Sequence, residues 1–167
     1  YSVYSLLAEL YYYFDKFEEM EKYANLALEI SGDNDRRESV QIAQDLIAFA
    51  HAKRKDFTVA EAQIKKSNEL SGHLEAHNCF LAKAYFIGSE YRKAIEIAKS
   101  VNLANVGSDR RYTTCIITLA DSYARLNNNT EAKLYYQRYL TSSETVEKKD
   151  ARTLRGRARA EEFLRSS

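Results

Sequence analysis

A pattern of large, small and aromatic residues recurs four times in the sequence, and it constrains the fold more than any other feature. The first copy reads Leu7, Ala8 and then Tyr11. Its alanine returns after intervals of 40, 34 and 38 residues, as Ala48, Ala82 and Ala120. Around and after each copy, apolar residues recur at the three- and four-residue spacing of amphipathic helices. The sequence therefore predicts four successive pairs of helices, each closed by a tight turn.

Small residues predict where the helices of a pair meet. An alanine in the first helix lets its partner approach closely. The second helix supplies a small or flexible residue at the same contact, namely Met20, Ala60, Ala94 and Ala132. One pair cannot bury its apolar face alone, so neighbouring pairs are expected to stack. The composition agrees, because the 167 residues include no proline and only five glycines, the residues that most often interrupt helices.

This pattern resembles that of the tetratricopeptide repeat family. The resemblance is carried best by LAKAY at Leu81–Tyr85 with YRKAI at Tyr91–Ile95, and by LADSY at Leu119–Tyr123 with TEA at Thr130–Ala132. It extends over about residues 1–143. The sequence departs from the family at two kinds of position. The usual proline after the second helix of each pair is missing, and these positions hold Gly32, Gly72, Val106 and Glu144. The aromatic residue before the second helix of the fourth pair is also missing, and its position holds Asn129.

The fold that this resemblance implies is an all-α, right-handed superhelix, or α-solenoid, of about four antiparallel helix pairs with a C-terminal capping helix. The repeats would occupy about residues 1–34, 35–72, 73–108 and 109–144, and the cap residues 145–167. The cap is basic, with seven lysines and arginines against four acidic residues. Its contact with the last repeat is expected along a narrow apolar stripe of Val146, Leu154, Ala158 and Phe163. An RNA-binding arginine helix is the alternative interpretation.

Two Asp-Arg-Arg triplets begin at Asp35 and Asp109, 74 residues apart. Both fall in the longer connections between one pair and the next, at the same place in the repeat. Each aspartate is therefore predicted to cap the N-terminus of the helix that follows. Arginines in a first turn oppose the helix dipole, so a contact with a partner's carboxylates and an anion site stay open as alternatives.

The sequence contains no motif that supports catalysis. It has no glycine-rich phosphate loop, no G-x-S-x-G and no H-E-x-x-H. His73 and His77 stand four residues apart, as zinc-binding histidines can, but Cys79 points about 200° away from His77 on a helix. His51 replaces the tyrosine of the other copies, which predicts a packed core histidine. We therefore predict no enzyme activity, no cofactor and no metal site.

Charge and cysteine content narrow the cellular setting. The net charge is +1, which gives no global reason to expect nucleic acid as a partner. No apolar run reaches the ~20 residues of a membrane span. The two cysteines, Cys79 and Cys115, are predicted to be buried free thiols, which favours an intracellular protein, cytoplasmic or nuclear. Because the sequence lacks an initiating Met and opens within an apolar pattern, we interpret it as a fragment of a longer protein.

The resemblance implies that ligands lie along a concave face lined by the first helix of each pair. The family's best-known peptide site is a clamp of basic and amide side chains that grips a C-terminal carboxylate. Its slots hold Ser5, Glu9, Asp45 and other non-basic residues in this sequence, so this clamp is predicted to be absent. The groove is instead predicted to be largely apolar, and its residues are Leu6, Glu9, Tyr12, Tyr13, Asp45, Leu46, Phe49, Cys79, Phe80, Lys83, Phe86, Ile117, Asp121 and Arg125.

A largely apolar groove predicts a non-catalytic scaffold that binds a protein or peptide partner, as a helix or an extended segment, or that self-associates. One alternative is a regulatory or sensor module of a larger signalling protein, which responds to a peptide or a small ligand. A weaker alternative is an RNA-associated module that uses the basic C-terminal helix. The apolar groove residues would also be explained if the curvature of the superhelix or the rest of the chain buried them.

Overall fold

A computed structural model describes residues 3–31, 37–71, 74–103, 110–144 and 151–166. Over these ranges the chain is helical and has no strand, which confirms the predicted all-α class. The helices are α1 Val3–Tyr13, α2 Phe17–Ile30, α3 Arg37–Lys53, α4 Phe57–Ser71, α5 Leu74–Ile87, α6 Tyr91–Lys99, α7 Arg110–Arg125, α8 Asn129–Glu144 and α9 Ala151–Ser166.

The same hydrogen-bonded turn joins the two helices of every pair. A backbone N–H just after the first helix donates to a carbonyl five residues earlier, in the pairs Lys16–Tyr11, Asp56–His51, Glu90–Tyr85 and Asn128–Tyr123. The residue before each donor has a left-handed backbone, with φ of 56° at Asp15, 66° at Lys55, 67° at Ser89 and 57° at Asn127. This is the Schellman arrangement that ends many helices. The repeat in the sequence is therefore also a repeat of backbone geometry.

The chain divides into two compact units. Unit 1 consists of Tyr1–His77 with Ile87–Ser89, and unit 2 of Asn78–Phe86 with Glu90–Ser167. In unit 1, α3 packs against α2 and α4 and also touches α1, while α1 packs against α2. In unit 2, α7 packs between α6 and α8, and α9 packs on α8.

The small residues predicted at the helix contacts are buried in both units. In unit 1 these are Ala8, Met20, Ala48 and Ala60, all with no exposed surface. In unit 2 the corresponding residues Ala82, Ala94, Ala120 and Ala132 are equally buried. Because a side chain larger than alanine would push the helix axes apart, these positions set how closely each pair packs.

The core of unit 2 contains a disulfide, so the prediction of free thiols is wrong. Cys79 of α5 and Cys115 of α7 are bonded, with their Cα atoms 4.6 Å apart and neither side chain exposed. They lie in one apolar cluster with Ile116, Leu119 and Tyr136. The two cysteines are 36 residues apart, a spacing that no short cysteine motif matches, so only the packing of α5 and α7 reveals the pair.

Helix α9 packs on α8 through a face that differs from most of the predicted stripe. Leu154 and Ala158 are exposed, and Val146 lies outside the described residues. Phe163 alone makes the expected contact, since its half-buried ring lies 4.8 Å from the ring of Tyr136. The prediction of a continuous apolar stripe on this helix is therefore wrong.

Small residues form the packing face of α9 in place of that stripe. Gly156 and Ala160 are buried. A Cβ atom at position 156 would lie 2.8 Å from Cζ of Tyr139, so only glycine allows the backbone of α9 to approach this ring. Gly156 is thus the reason for the register of α9 on α8.

Polar contacts also tie α9 to the rest of unit 2. Arg157 donates to the carbonyl of Leu140 at 2.9 Å and to Oγ of Ser143 at 2.7 Å. The hydroxyl of Tyr139 donates to the carbonyl of Thr153 at 3.3 Å. The guanidinium of Arg157 binds carbonyl and hydroxyl oxygens of α8 and so orients α9. This basic side chain, which the sequence suggested for RNA, is therefore used in a contact within unit 2.

Two further predictions concern polar side chains. The caps at Asp35 and Asp109 lie outside the described residues, as do the arginine side chains beside them, His73 and the side chain of His77. His51 is half-buried rather than packed in the core, so that prediction is wrong. Its Nδ1 lies 3.3 Å from a carboxylate oxygen of Asp56 and its Nε2 lies 3.5 Å from one of Glu21. The ring sits in this polar group because α2 brings Glu21 against the end of α3.

Candidate functional site

Three predicted groove residues of unit 1 form an aromatic group centred on Tyr12, together with Phe17, which was not predicted to line the groove. Its ring centroid lies 6.1 Å from that of Tyr13, 6.4 Å from that of Phe17 and 5.6 Å from that of Phe49. We name these four residues the Tyr12 cluster. Phe49 is buried, with 3% of its surface exposed, while the other three rings are half-buried. The cluster therefore presents three partly exposed rings to solvent, and the central ring packs on the buried ring of Phe49.

Chain geometry explains how the Tyr12 cluster forms. Tyr12 and Tyr13 end α1, and Phe17 begins α2 directly after the tight turn, so three rings meet within a few residues of sequence. Phe49 comes from α3, the helix that α1 touches across the pair boundary. The Nζ atom of Lys53 lies 5.3 Å from the centre of the Phe17 ring and places a cation beside the cluster.

The remaining groove residues of unit 1 differ in exposure. Leu6 is exposed, Glu9 and Asp45 are half-buried, and Leu46 is buried with 1% of its surface exposed. Leu46 therefore belongs to the core, and Glu9 and Asp45 border the aromatic surface. Both carboxylates also interact within the chain.

In unit 2 the predicted groove residues of α5 form a smaller aromatic surface. Phe80, Lys83 and Phe86 are half-buried. The Nζ atom of Lys83 lies 4.6 Å from the centre of the Phe86 ring, and that ring lies 5.6 Å from the ring of Tyr91. A cation and two rings in contact form a surface with both apolar and charged character.

The other groove residues of unit 2 are mostly taken into its core. Cys79 is in the disulfide and Ile117 is buried with 8% of its surface exposed, while Arg125 is exposed. Asp121 is buried between helices, where its carboxylate accepts a hydrogen bond from Tyr136 at 2.9 Å and one from Arg159 at 3.0 Å. Burial, and then the negative charge of Asp121, raise the pKa of the Tyr136 hydroxyl. Asp121 therefore links α7, α8 and α9.

The sequence reasoning missed most of an apolar surface on α1. Val3, Leu6, Leu10 and Phe14 are 70%, 54%, 47% and 61% exposed. Spacings of three and four residues place the first three along one side of α1, and Phe14 continues this spacing in the turn directly after the helix. We name these four residues the α1 stripe. Only Leu6 was among the predicted site residues. The signal was available in the register of the repeats, since Val3, Leu6 and Leu10 have counterparts in later helices.

A pair of stacked tyrosines lies beside the α1 stripe. The rings of Tyr11 and Tyr23 are 5.2 Å apart and almost parallel, with an angle of 6° between their planes, and Tyr4 stacks on Tyr23 at 6.3 Å. The electrostatic interaction with Tyr23 raises the pKa of the Tyr11 hydroxyl, and the charge of Glu19 contributes less strongly. Lys22 lies over the ring of Tyr23 at 5.8 Å. This corner of α1 and α2 is thus aromatic with an acidic neighbour.

Comparisons with known proteins identify no relative. No protein-family profile matches the sequence, no curated protein is significantly similar to it, and no solved structure is significantly similar to the fold. Within the part of the chain that the structure describes, no three His, Cys, Asp or Glu side chains converge as metal ligands would. None of the helices over the described ranges is both long and apolar enough to cross a membrane.

Proposed function

We propose that this chain is a non-catalytic protein-interaction module of the tetratricopeptide type, in which the helix pairs form an α-solenoid. Its partner would be a protein segment, a helix or an extended strand, that packs on the Tyr12 cluster. The partial exposure of the three rings of Tyr12, Tyr13 and Phe17 is the observation that carries the proposal.

Half-buried aromatic rings suit a binding surface for physical reasons. Tyr12, Tyr13 and Phe17 each offer a large apolar area with few rotatable bonds, so that ordering them on binding costs little entropy. The buried ring of Phe49 packs against Tyr12, the ring at the centre of the cluster, and so helps to hold its position when no partner is bound. Aromatic residues held in this way often supply most of the binding energy of a protein interface.

The charges around the cluster favour a partner that is apolar at its centre. The slots where the family's carboxylate clamp would require basic groups hold Ser5, Glu9 and Asp45. Acidic groups at these slots repel a C-terminal carboxylate rather than bind it. We therefore infer that an internal apolar segment, rather than an acidic chain end, is the ligand.

The alternative of RNA binding and the predicted intracellular location receive less support from the described residues. The basic C-terminal helix uses Arg157 and Arg159 for contacts within unit 2, which leaves less positive charge for RNA. The proposal of an intracellular site also loses the support of free thiols, because a buried disulfide is more typical of an oxidising compartment.

Two substitutions test the proposed function. Tyr13→Ala should leave the fold largely intact and weaken partner binding by roughly 1–3 kcal/mol, as interface aromatics do. Phe49→Ala should instead cost about 3–5 kcal/mol of stability, because its ring is buried. The partner would be identified with a photo-crosslinking amino acid at position 13, and the same amino acid at Leu134, an exposed residue of α8, serves as the control. A partner that crosslinks equally from both positions would refute the proposed surface.

A further inference from the structure

Val3, Leu6 and Leu10 of the α1 stripe are exposed, whereas their counterparts in α3 and α7, which follow another helix pair of the same unit or its second helix, are buried. The repeat register matches Val3, Leu6 and Leu10 of α1 with positions 40 residues later in α3 and 112 residues later in α7. In α3 these are Ala43, Leu46 and Ala50, of which none is more than 1% exposed. In α7 they are Cys115, Thr118 and Ser122, and none of them is exposed.

This difference in exposure has the same structural cause in both units. Helix α3 packs against α2 of the preceding pair, and α7 packs against α6 of the preceding pair. Helix α1 has its own partner α2 and the following helix α3, but within the described residues no helix pair comes before it. The α1 stripe thus has the position of a surface that receives a helix, and at Val3 and Leu10 its apolar side chains are larger than the alanines at the same positions of α3.

A second, independent feature of α1 and α2 shows what such a helix should carry. In unit 2, Tyr123 and Tyr135 stack with their centroids 5.7 Å apart, and they are the counterparts of Tyr11 and Tyr23. The helix that precedes this pair, α6, places Nζ of Lys99 5.5 Å from the centre of the Tyr123 ring. Lys99 is thus held against a tyrosine stack by the helix that occupies the docking position.

The acidic neighbour of this lysine also has a counterpart in unit 1. The pKa of Lys99 is raised: its hydrogen bond with Tyr123 is the largest cause, and the negative charge of Glu131 makes the smallest contribution. Glu131 occupies the same place in the repeat as Glu19, which lies near Tyr11. Helices α1 and α2 therefore repeat the tyrosine stack and the carboxylate that receive Lys99 in unit 2.

We propose that the α1 stripe and the adjacent Tyr11–Tyr23 stack together dock an amphipathic helix of a partner protein, which packs apolar residues on the stripe and a lysine on the stack beside Glu19. This surface is separate from the Tyr12 cluster and adds a second binding site to the module.

The chemistry of the partner helix follows from α6 and from the differences between the pairs. Helix α6 buries Ala94 and Ala98, and its exposed side carries lysines and an arginine. At the far end of the stripe, Phe14 stands at the position of Arg54, which binds Glu21 of the preceding helix at 2.6 Å in unit 1. A helix that docks on α1 would therefore be apolar, not acidic, where it meets Phe14.

A peptide with the sequence of residues 90–103, blocked at both ends and labelled with a fluorophore, is the probe for this surface. It should bind the whole chain in an anisotropy titration, and Leu10→Asp should weaken this binding at least about tenfold. Leu134→Asp is the matched control, because Leu134 is also an exposed helix leucine, and it should change the affinity by less than about twofold.

A charge exchange tests the lysine site by itself. A peptide that carries Lys99→Glu should bind the unchanged chain about tenfold more weakly, and Glu19→Lys in the chain should restore part of the loss. Helical circular dichroism should show that Leu10→Asp and Glu19→Lys both fold, since both residues are exposed.

Three outcomes would overturn the proposal. The first is that the peptide does not bind at millimolar concentration, or binds the Leu10→Asp chain as well as the original. The second is that the peptide with Lys99→Glu binds as tightly as the unchanged peptide, which would remove the lysine site. The third is that the chain alone forms a dimer in sedimentation experiments and becomes a monomer with Leu10→Asp, since the stripe would then bind a second copy of the chain.

Discussion

Breaking the bond between Cys79 and Cys115 should destabilise unit 2 by an amount that the chain separation sets. The cross-link closes a loop across a separation of 36 residues. In the chain-entropy description, a loop of this length removes about 13 cal/mol/K from the unfolded ensemble, or about 4 kcal/mol at 25 °C. This is a large share of the ~5–15 kcal/mol that stabilises an ordinary domain, so the effect should be easy to measure.

The assay is urea denaturation of the oxidised and the reduced protein, monitored by helical circular dichroism. Reduction must be carried out on the unfolded chain, because both sulfur atoms are buried in the folded unit. The free energy of unfolding should fall by about 4 kcal/mol, and the melting temperature by roughly 8–16 °C for a chain of this size. The double variant Cys79→Ala with Cys115→Ala should be at least as unstable, since it also leaves small voids in the core.

The control is the single variant Cys115→Ala, whose stability should not respond to a reducing agent. If the oxidised and reduced forms of the original chain unfold at the same urea concentration, with the same dependence on urea, the entropy argument fails. A quantitative thiol assay on protein unfolded without a reducing agent should find no free thiol. Two free thiols per chain would show that α5 and α7 are not cross-linked.

Three further predictions follow from contacts within single units. Gly156→Ala should cost roughly 1–3 kcal/mol in a thermal melt, because its Cβ would collide with the ring of Tyr139; an unchanged melt would refute the close approach. Ala120→Leu should cost about as much by overpacking the contact of α7 and α8, and equal stability would contradict the repeat register. The hydrogen bond from Arg54 lowers the pKa of Glu21, so the pair should stabilise the fold above a pH of about 4.3 and lose this effect as pH falls through the folded-state pKa. An NMR titration should find that pKa below about 4.3 in the original chain and closer to that value in Arg54→Gln.

The features that the sequence predicted well are those that local sterics determine. An alanine at a helix contact leaves a periodic mark, since replacing it with a larger residue would separate the helices. Ala8, Ala48, Ala82 and Ala120 therefore revealed both the pairs and their register. The positions of the tight turns followed from the same register, although none of the four left-handed positions holds the glycine that usually signals this geometry.

The features that the sequence did not predict depend on which faces meet. Cys79 and Cys115 pair because α5 and α7 bring them together, and their spacing alone gives no hint of it. The packing face of α9 is determined by the space that Gly156 leaves for Tyr139, so most of the predicted apolar stripe lies on the wrong side of the helix. Exposure is equally non-local: Leu6 and Leu46 occupy the same slot of the repeat, yet the first is exposed and the second is buried. Helix α2 packs against the helix that carries Leu46, whereas within the described residues no helix pair lies before the helix that carries Leu6.

The left-handed turns also give a simple way to engineer a more heat-resistant protein. Asp15 and Asn127 tolerate this backbone, whereas at Lys55 and Ser89 a Cβ atom is held in a conformation that costs roughly 1–2 kcal/mol for most residues. Glycine has no such cost but loses more backbone entropy on folding, so Lys55→Gly and Ser89→Gly should each give a net gain of up to about 1 kcal/mol. Both changes lie in solvent-exposed turns and replace no residue of the α1 stripe or the Tyr12 cluster, so thermal resistance could be raised while the side chains of both candidate binding surfaces are kept.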